Sequence, residues 1–290
     1  MMMNEENFYF YLNGKILKGN EARILPFDRG FLFGDGVYET LIMYKGKLFR
    51  FSDHIERLKK SLASSRINFT SFDEIEKAIN KLVEVNNFNS DHLFVYLQVT
   101  RGSYFPRQHQ FPPSNVNPTF FVSVTPFKRR EEELSKGIKV ILEEDIRWTR
   151  SDIKSTMLMA NVLAKQKALE QNAAEALFVR NGFVMEGTHT SFCAVKEGKL
   201  YTPPLSNFIL DGITRKVILD ICEEKNIAFS EVNIKVSELK NFDERMILGT
   251  ISEVTPVVQI NDWKVRNGKP GPTTMKLQKI LREMMTGSKN

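Results

Sequence analysis

Two β runs rich in aromatic and branched residues, HLFVYLQVTRG (His92–Gly102) and TFFVSVTPF (Thr119–Phe127), follow two stretches of helical character, SDHIERLKKSLASSR (Ser52–Arg66) and FDEIEKAINKLVEVNN (Phe72–Asn87). Period-2 and period-3.6 patterns bury different faces, so their coexistence predicts helices packed on a sheet and constrains the fold more than any other feature. FYFYLNGKIL (Phe8–Leu17) and YETLIMYKGKLFRF (Tyr38–Phe51) read as further strands joined by glycine turns. A charged connector, Thr125 to Gly137, is a candidate hinge. Beyond it IKVILEEDIRW, EALFVRNGFVMEG, TSFCAVKEGKLYTP and RMILGTISEVTPVVQI read as strands, and GITRKVILDICEEKN reads as a helix. The expectation is an α+β protein of two domains, a small α+β domain over residues 1–126 and a larger α+β domain over residues 127–290.

A chain of 290 residues is long enough for two such cores, and 42% apolar with 26% charged residues suits a globular protein. The formal charge of +6 is spread along the chain, and the run KRREEELSK (Lys128–Lys136) balances itself. That argues against nucleic acid, which demands a denser basic face, and favours a small anionic ligand. Cys193 and Cys222 alone make neither a disulfide framework nor a zinc site, so no metal is expected. The amino terminus carries acids where a signal peptide has basic residues, and no apolar run reaches the roughly 18 residues of a membrane span. The expected compartment is the cytoplasm.

Lys154 stands inside DIRWTRSDIKSTMLMANVLAKQKALE (Asp145–Glu170). Apolar residues at Leu158, Met159, Val162, Leu163 and Leu169 predict an amphipathic helix from Ser155, capped by Asp152 or Ser155, with Lys154 at its positive end. Cations favour the other end of a helix, and an uncharged lysine is a nucleophile. On local grounds alone an ordinary solvent-facing lysine is the better reading.

FGDGVYE (Phe33–Glu39) is no nucleotide fingerprint; Gly34 and Gly36 make either a tight turn entering a strand or a loop lining a site. Three segments suit a phosphate: Ile213 and Thr214 at a helix start in DGITRKVILD, Thr250 in the turn LGTISE, and Arg57 in HIERL. Each alone is a weak signal: GITR is more often an ordinary cap, and Arg57 more often a solvated helix arginine. Glu186 in FVMEGTHTSF is a surface turn acid unless it meets a pyridine nitrogen, whose protonated form a carboxylate stabilises. Arg107 and His109, in the proline-bounded loop RGSYFPRQHQFPP, form either a carboxylate clamp or a loop without a role.

In this order, FGDGVYE, HIERL, RGSYFPRQHQFP, the DIRW and DIKS segment, MEGTHTSF, LDGITR and TISEVTPV resemble the class IV aminotransferases that use pyridoxal 5′-phosphate, most nearly the bacterial D-amino acid transaminases. The resemblance runs from about Leu12 to Leu281, and DIRW…DIKS with R-x-H-x-F-P are its specific parts. It implies the two-domain fold-type IV architecture, with Lys154 as the Schiff-base lysine and proton shuttle in the larger domain. It further implies Glu186 on the pyridine nitrogen, Leu210 on the ring face, and Arg57, Ile213, Thr214 and Thr250 on the phosphate. Tyr38, Arg107 and His109 would take the substrate α-carboxylate, the last two from the other subunit of a homodimer. The implied reaction passes an amino group between a D-amino acid, such as D-alanine or D-glutamate, and a 2-oxo acid.

Some positions depart from the pattern. Thr188, His189, Thr190 and Ser191 stand where a serine-rich run ending in asparagine is usual, and Gly249 and Ile251 where hydroxyls are frequent. Thr40, Leu41 and Ile42 differ on the substrate-facing strand. The near rivals are a branched-chain L-aminotransferase and an aminodeoxychorismate lyase on the same scaffold, and the remote one a non-catalytic, nucleic-acid-binding protein.

Overall fold

The computed structural model describes residues 5–287. Residues 1–4 and 288–290, counted above with the two terminal blocks, lie outside the described residues. The chain forms two compact units. One runs to Lys128 and takes in Ile153–Met157; the other holds Arg129–Asp152 and the chain from Leu158 on.

The first unit contains β1 (Tyr9–Leu12), β2 (Lys15–Lys18), a short α1 (Arg29–Phe33), β3 (Gly36–Tyr44), β4 (Lys47–Leu48), α2 (Phe51–Ser65), α3 (Phe72–Val85), β5 (His92–Thr100) and β6 (Thr119–Pro126). Its strands form one antiparallel sheet in the order β2-β1-β6-β5-β3-β4. Alternation divides the two faces: Val37, Leu41, Val95, Leu97, Phe120 and Val122 pack with Leu58 and Leu62 of α2 and Ile75, Ile79 and Leu82 of α3. Tyr38, Thr40 and Tyr96 take the opposite parity and are half-buried. Glu39 falls on the helix side, fully buried, and must find partners there.

The second unit contains α4 (Glu131–Lys136), β7 (Ile138–Glu144), α5 (Met159–Glu170), β8 (Glu175–Arg180), β9 (Phe183–Gly187), β10 (Ser191–Lys196), β11 (Lys199–Thr202), α6 (Ile213–Glu224), β12 (Phe229–Glu231), β13 (Ile234–Lys235), β14 (Glu244–Gly249), β15 (Glu253–Ile260), β16 (Trp263–Lys264) and α7 (Pro272–Thr286). The sheet order is β12-β11-β10-β14-β15-β7-β8-β9-β13, with β16 on β15. β7 and β8 run parallel, so the chain must cross over between them, and α5 is the return. Burial pushes the free Cys193 thiol up to about 12 and that of Cys222 up to about 11.

Three expectations change. The charged connector is not a bare hinge: it carries α4, and Arg129 before it is locked to the buried Glu253 by two bonds of 2.6 Å. The helix expected from Ser155 starts at Met159 and has no side-chain cap, because Asp152 is engaged by Arg150 and Ser155 pairs with Val37. Its apolar stripe does not face its own core: Met159, Val162, Leu163 and Leu169 are exposed, and the small Ala164 and Ala168 fit against Ile141, Ala176 and Phe178 instead. α7 was not foreseen. Glu244 caps it from a distant strand, accepting from the amides of Thr273 and Thr274 and from the Thr274 hydroxyl. Among the described residues no helix is long and apolar enough to cross a membrane.

Candidate active site

Lys154 belongs by its contacts to the first unit, not to the larger second block in which the sequence reading put it. The physical reason is backbone pairing. Residues 153–157 run along the start of β3, on the edge that β4 leaves unpaired: the Lys154 carbonyl accepts from the Tyr38 amide at 3.0 Å, and the Thr156 amide donates to the Gly36 carbonyl at 3.0 Å. The Lys154 amide donates to Ser61 Oγ on α2 at 3.2 Å, and the Thr156 hydroxyl donates to the Gly34 carbonyl at 2.9 Å. Gly34 closes α1 in a left-handed conformation at φ 66°, and a Cβ there would sit 2.9 Å from Met157 Cγ. The GDG segment is thus the seat of the lysine segment. Lys154 Nζ rests 4.4 Å from the centroid of the Tyr38 ring.

On the other face of β3, Glu39 gathers the inner side of α2. Arg57 donates from Nε at 2.7 Å and from Nη2 at 2.8 Å, and His54 Nδ1 lies 2.8 Å from the same carboxylate. An ionised carboxylate only accepts, so the His54 proton is on Nδ1. Burial pushes the Glu39 carboxyl up, but Arg57 and His54 outweigh it and hold it well below the usual range. Burial lowers His54 despite Glu39. Arg57 therefore reaches its position with the Nε and Nη2 edge of its fork facing Glu39.

Arg107 and His109 are exposed in the long loop between β5 and β6. Both side chains meet Phe33, with the Arg107 guanidinium 4.5 Å and the His109 ring 5.4 Å from its centroid. Among the described residues neither bonds to Lys154 or Tyr38.

The second unit assembles the remaining candidates. Glu186, at the end of β9 and 6% exposed, accepts from Arg147 Nη1 at 2.5 Å and from the Leu210 amide at 3.0 Å. Arg147 is itself fixed: Nε and Nη2 grip Asp145 at 2.9 and 3.0 Å, and the guanidinium lies 4.3 Å over Phe178. Burial opposes the charge on Arg147, yet its two carboxylate partners raise it; burial likewise opposes the Asp145 charge, and Arg147 and Arg180 hold that carboxyl low. The turn after Glu186 is tied down by buried Glu175, which accepts from the Thr188 amide and hydroxyl, and by Asn161 on the Thr188 carbonyl.

That turn adjoins the two expected phosphate segments. Ser191 pairs with Leu248 across β10 and β14, and a Cβ on Gly249, just before Thr250, would stand 3.4 Å from Thr190 Cγ2. Gly212 comes so close to Ser191 that a Cβ would stand 2.5 Å from its hydroxyl oxygen. Gly212 stands at the N-cap of α6 and has no side chain to bond the amides of the first turn, where Ile213 and Thr214 are buried. A helix start without a side-chain cap, a hydroxyl turn and a carboxylate gripped by a guanidinium form a donor and acceptor set that fits a phosphorylated pyridine.

Sequence reasoning missed Glu39, His54, Asp35, Arg29 and Arg147. Arg147 lies in the quoted DIRW stretch, and Asp35 and Glu39 lie in FGDGVYE, but nothing local tells a buried ion pair from a surface charge.

Over residues 36–260 the chain matches the model of the amino-transferase class IV family. It is 42% identical over 269 residues, 92% of this chain and 94% of the relative, to the D-alanine aminotransferase of Staphylococcus haemolyticus. It is 40% identical over 270 residues, 93% and 94%, to that of Bacillus licheniformis. The solved branched-chain amino acid aminotransferase of Thermobaculum terrenum, in its PLP form, is similar over 98% of this chain and 95% of that one, with a TM-score of 0.83 and 27% identity.

Proposed function

We propose, for a chain that belongs to the class IV aminotransferases, that it moves an amino group between a D-amino acid, such as D-alanine or D-glutamate, and a 2-oxo acid. The observation that carries the D-selective reading is the likeness, along nearly the whole chain, to D-alanine aminotransferases. Pyridoxal 5′-phosphate is the cofactor, and when bound it supplies the electron sink that makes the substrate Cα proton removable. Lys154 binds it through Nζ and carries the proton to and from the substrate Cα. Glu186 holds the proton on the pyridine nitrogen; Arg147 donates to one of its oxygens, and the Leu210 amide fixes the second. Leu210 packs on the ring. The amides of Ile213 and Thr214, the Thr250 hydroxyl and Arg57 hold the phosphate. Tyr38, Arg107 and His109 receive the α-carboxylate.

The two domains divide near residue 126, with the lysine segment returning to the first. The enzyme is a homodimer that shares its sites between subunits, a reading supported by the large apolar side chains that Phe31 and Phe105 in the first unit and Met159, Val162 and Leu163 in the second leave exposed. Two free, buried thiols suit the reducing cytoplasm. The test is turnover of D-alanine and of L-leucine by purified holoenzyme, each against 2-oxoglutarate. D-alanine is the expected substrate. Turnover of L-leucine without D-alanine would overturn the reading in favour of the branched-chain activity for which the solved relative is named.

A further inference from the structure

Against the Arg107–His109 loop stand two buried guanidiniums joined by one half-buried carboxylate. Asp35 Oδ2 accepts from Arg29 Nε and from Arg101 Nε, each at 2.8 Å, and Asp35 Oδ1 accepts from Arg101 Nη2 at 2.9 Å. Arg29 is 5% and Arg101 9% exposed, so every donor must be spent inside the protein. Arg29 spends the rest on the loop: Nη1 donates to the carbonyls of Gln108 at 2.8 Å and Gln110 at 3.3 Å, and Nη2 to that of His109 at 3.2 Å. Arg101 donates to the carbonyls of Ser65 and Arg66, where α2 ends, and its guanidinium lies 3.8 Å from the centroid of Phe111. Phe33, which Arg107 and His109 both meet, is also 4.8 Å from the Arg29 guanidinium.

We propose that Asp35, Arg29 and Arg101 are positioning residues for substrate, setting the Arg107–His109 loop in the conformation that grips the α-carboxylate. The proposal rests on the reading of Arg107 and His109 given above and assigns the cluster a role within it. The physical argument is preorganisation. An exposed loop ordered only on binding charges the cost of its ordering against affinity, whereas one whose carbonyls at 108, 109 and 110 are already bonded does not. A planar fork with five donors can bond a carboxylate and three carbonyls at once; an ammonium with three donors cannot. Asp35 supplies the charge that lets two guanidiniums lie together. Burial works against its ionisation, but Arg101 and Arg29 hold its carboxyl below the usual range.

The test is a double-mutant cycle on the holoenzyme with D-alanine. Arg29→Gln is expected to raise KM about 10-fold or more with kcat at saturation and cofactor absorbance near wild type, and to speed hydrogen exchange of the amides at 107–111. Arg107→Ala is expected to cost roughly 30- to 1000-fold in kcat/KM. The two together should cost clearly less than the product of the two single losses, since with Arg107 gone Arg29 has only His109 left to position. Losses that multiply would overturn the proposal, because Arg29 would then act elsewhere. A wild-type KM in Arg29→Gln beside an impaired Arg107→Ala overturns the positioning role and leaves the clamp standing. An Arg107→Ala enzyme with unchanged kinetics overturns the clamp and the proposal together. If Arg29→Gln does not fold, Asp35→Asn, which keeps the shape and releases both guanidiniums, carries the same expectations.

Discussion

The two units hold their candidate site residues in different ways. In the second, Glu186, Ile213 and Thr214 are 6%, 7% and 8% exposed, and Glu186 is fixed directly by Arg147 and the Leu210 amide. In the first, Arg107 and His109 stand exposed, and the rigidity lies one layer below them, in Arg29 and Asp35. Lys154 is intermediate: its backbone is stitched to β3 and α2, while its amine reaches over Tyr38. The difference follows from what each region meets. A resident cofactor rewards buried, permanent partners, whereas a substrate that enters and leaves at every turnover needs groups that remain open yet ordered.

Breaking the chemistry should give the largest effect. Lys154→Ala is expected to lose turnover by several orders of magnitude, since it removes the nucleophile and the proton carrier together. Borohydride treatment of the holoenzyme should fix a pyridoxyl label on the peptide holding Lys154; a label on Lys165 or Lys167 would show that the lysine segment has been misassigned.

Next comes the buried carboxylate of the second unit. Glu186→Gln keeps the shape and loses the charge, with an expected fall in kcat on the order of a hundredfold, as for other lost electrostatic stabilisers. Because Arg147 retains Asp145, the melting temperature of the holoenzyme should move by only a few degrees. A fully active variant would mean that the buried carboxylate does not act on the ring nitrogen, and the contrast between the units would lose its chemical meaning.

The smallest effect concerns acid. Asp35 in the first unit and Asp145 in the second both have carboxyls held low, by Arg101 and Arg29 in one case and by Arg147 and Arg180 in the other, against the effect of burial. Their folded forms keep the charge to lower pH than the unfolded chain, so the unfolded state takes up more protons as pH falls below about 4 to 5. The stability they contribute is complete above that window and is lost as pH drops through it. In Asp35→Asn and in Asp145→Asn the gap between melting temperatures at pH 7 and pH 4 should narrow by about 2 °C each. If only one variant narrows the gap, acid sensitivity belongs to one unit and the comparison sharpens.

Local pattern carried far in this chain because the strands and helices of the first unit are amphipathic in the ordinary sense: alternation on β5 and the apolar spacing on α3 name the residues that bury. It failed at α5, whose largest apolar residues point away from the core of its own unit, and at α7, whose cap comes from Glu244. The ordered motifs made the candidates Lys154, Glu186 and Arg107 legible, since a residue type and its neighbours along the chain suffice to state what chemistry it can do. The partners remained hidden. That Arg147 fixes Glu186, that Glu39 gathers His54 and Arg57, and that Arg29 holds three carbonyls of a loop some eighty residues away are contacts between distant segments. The sequence by itself determined which groups are present and the periodicity that buries each face. Only the tertiary structure decided which buried charges share a carboxylate and that the lysine segment pairs with β3, because hydrogen bonds and ion pairs depend on distances that sequence separation does not encode.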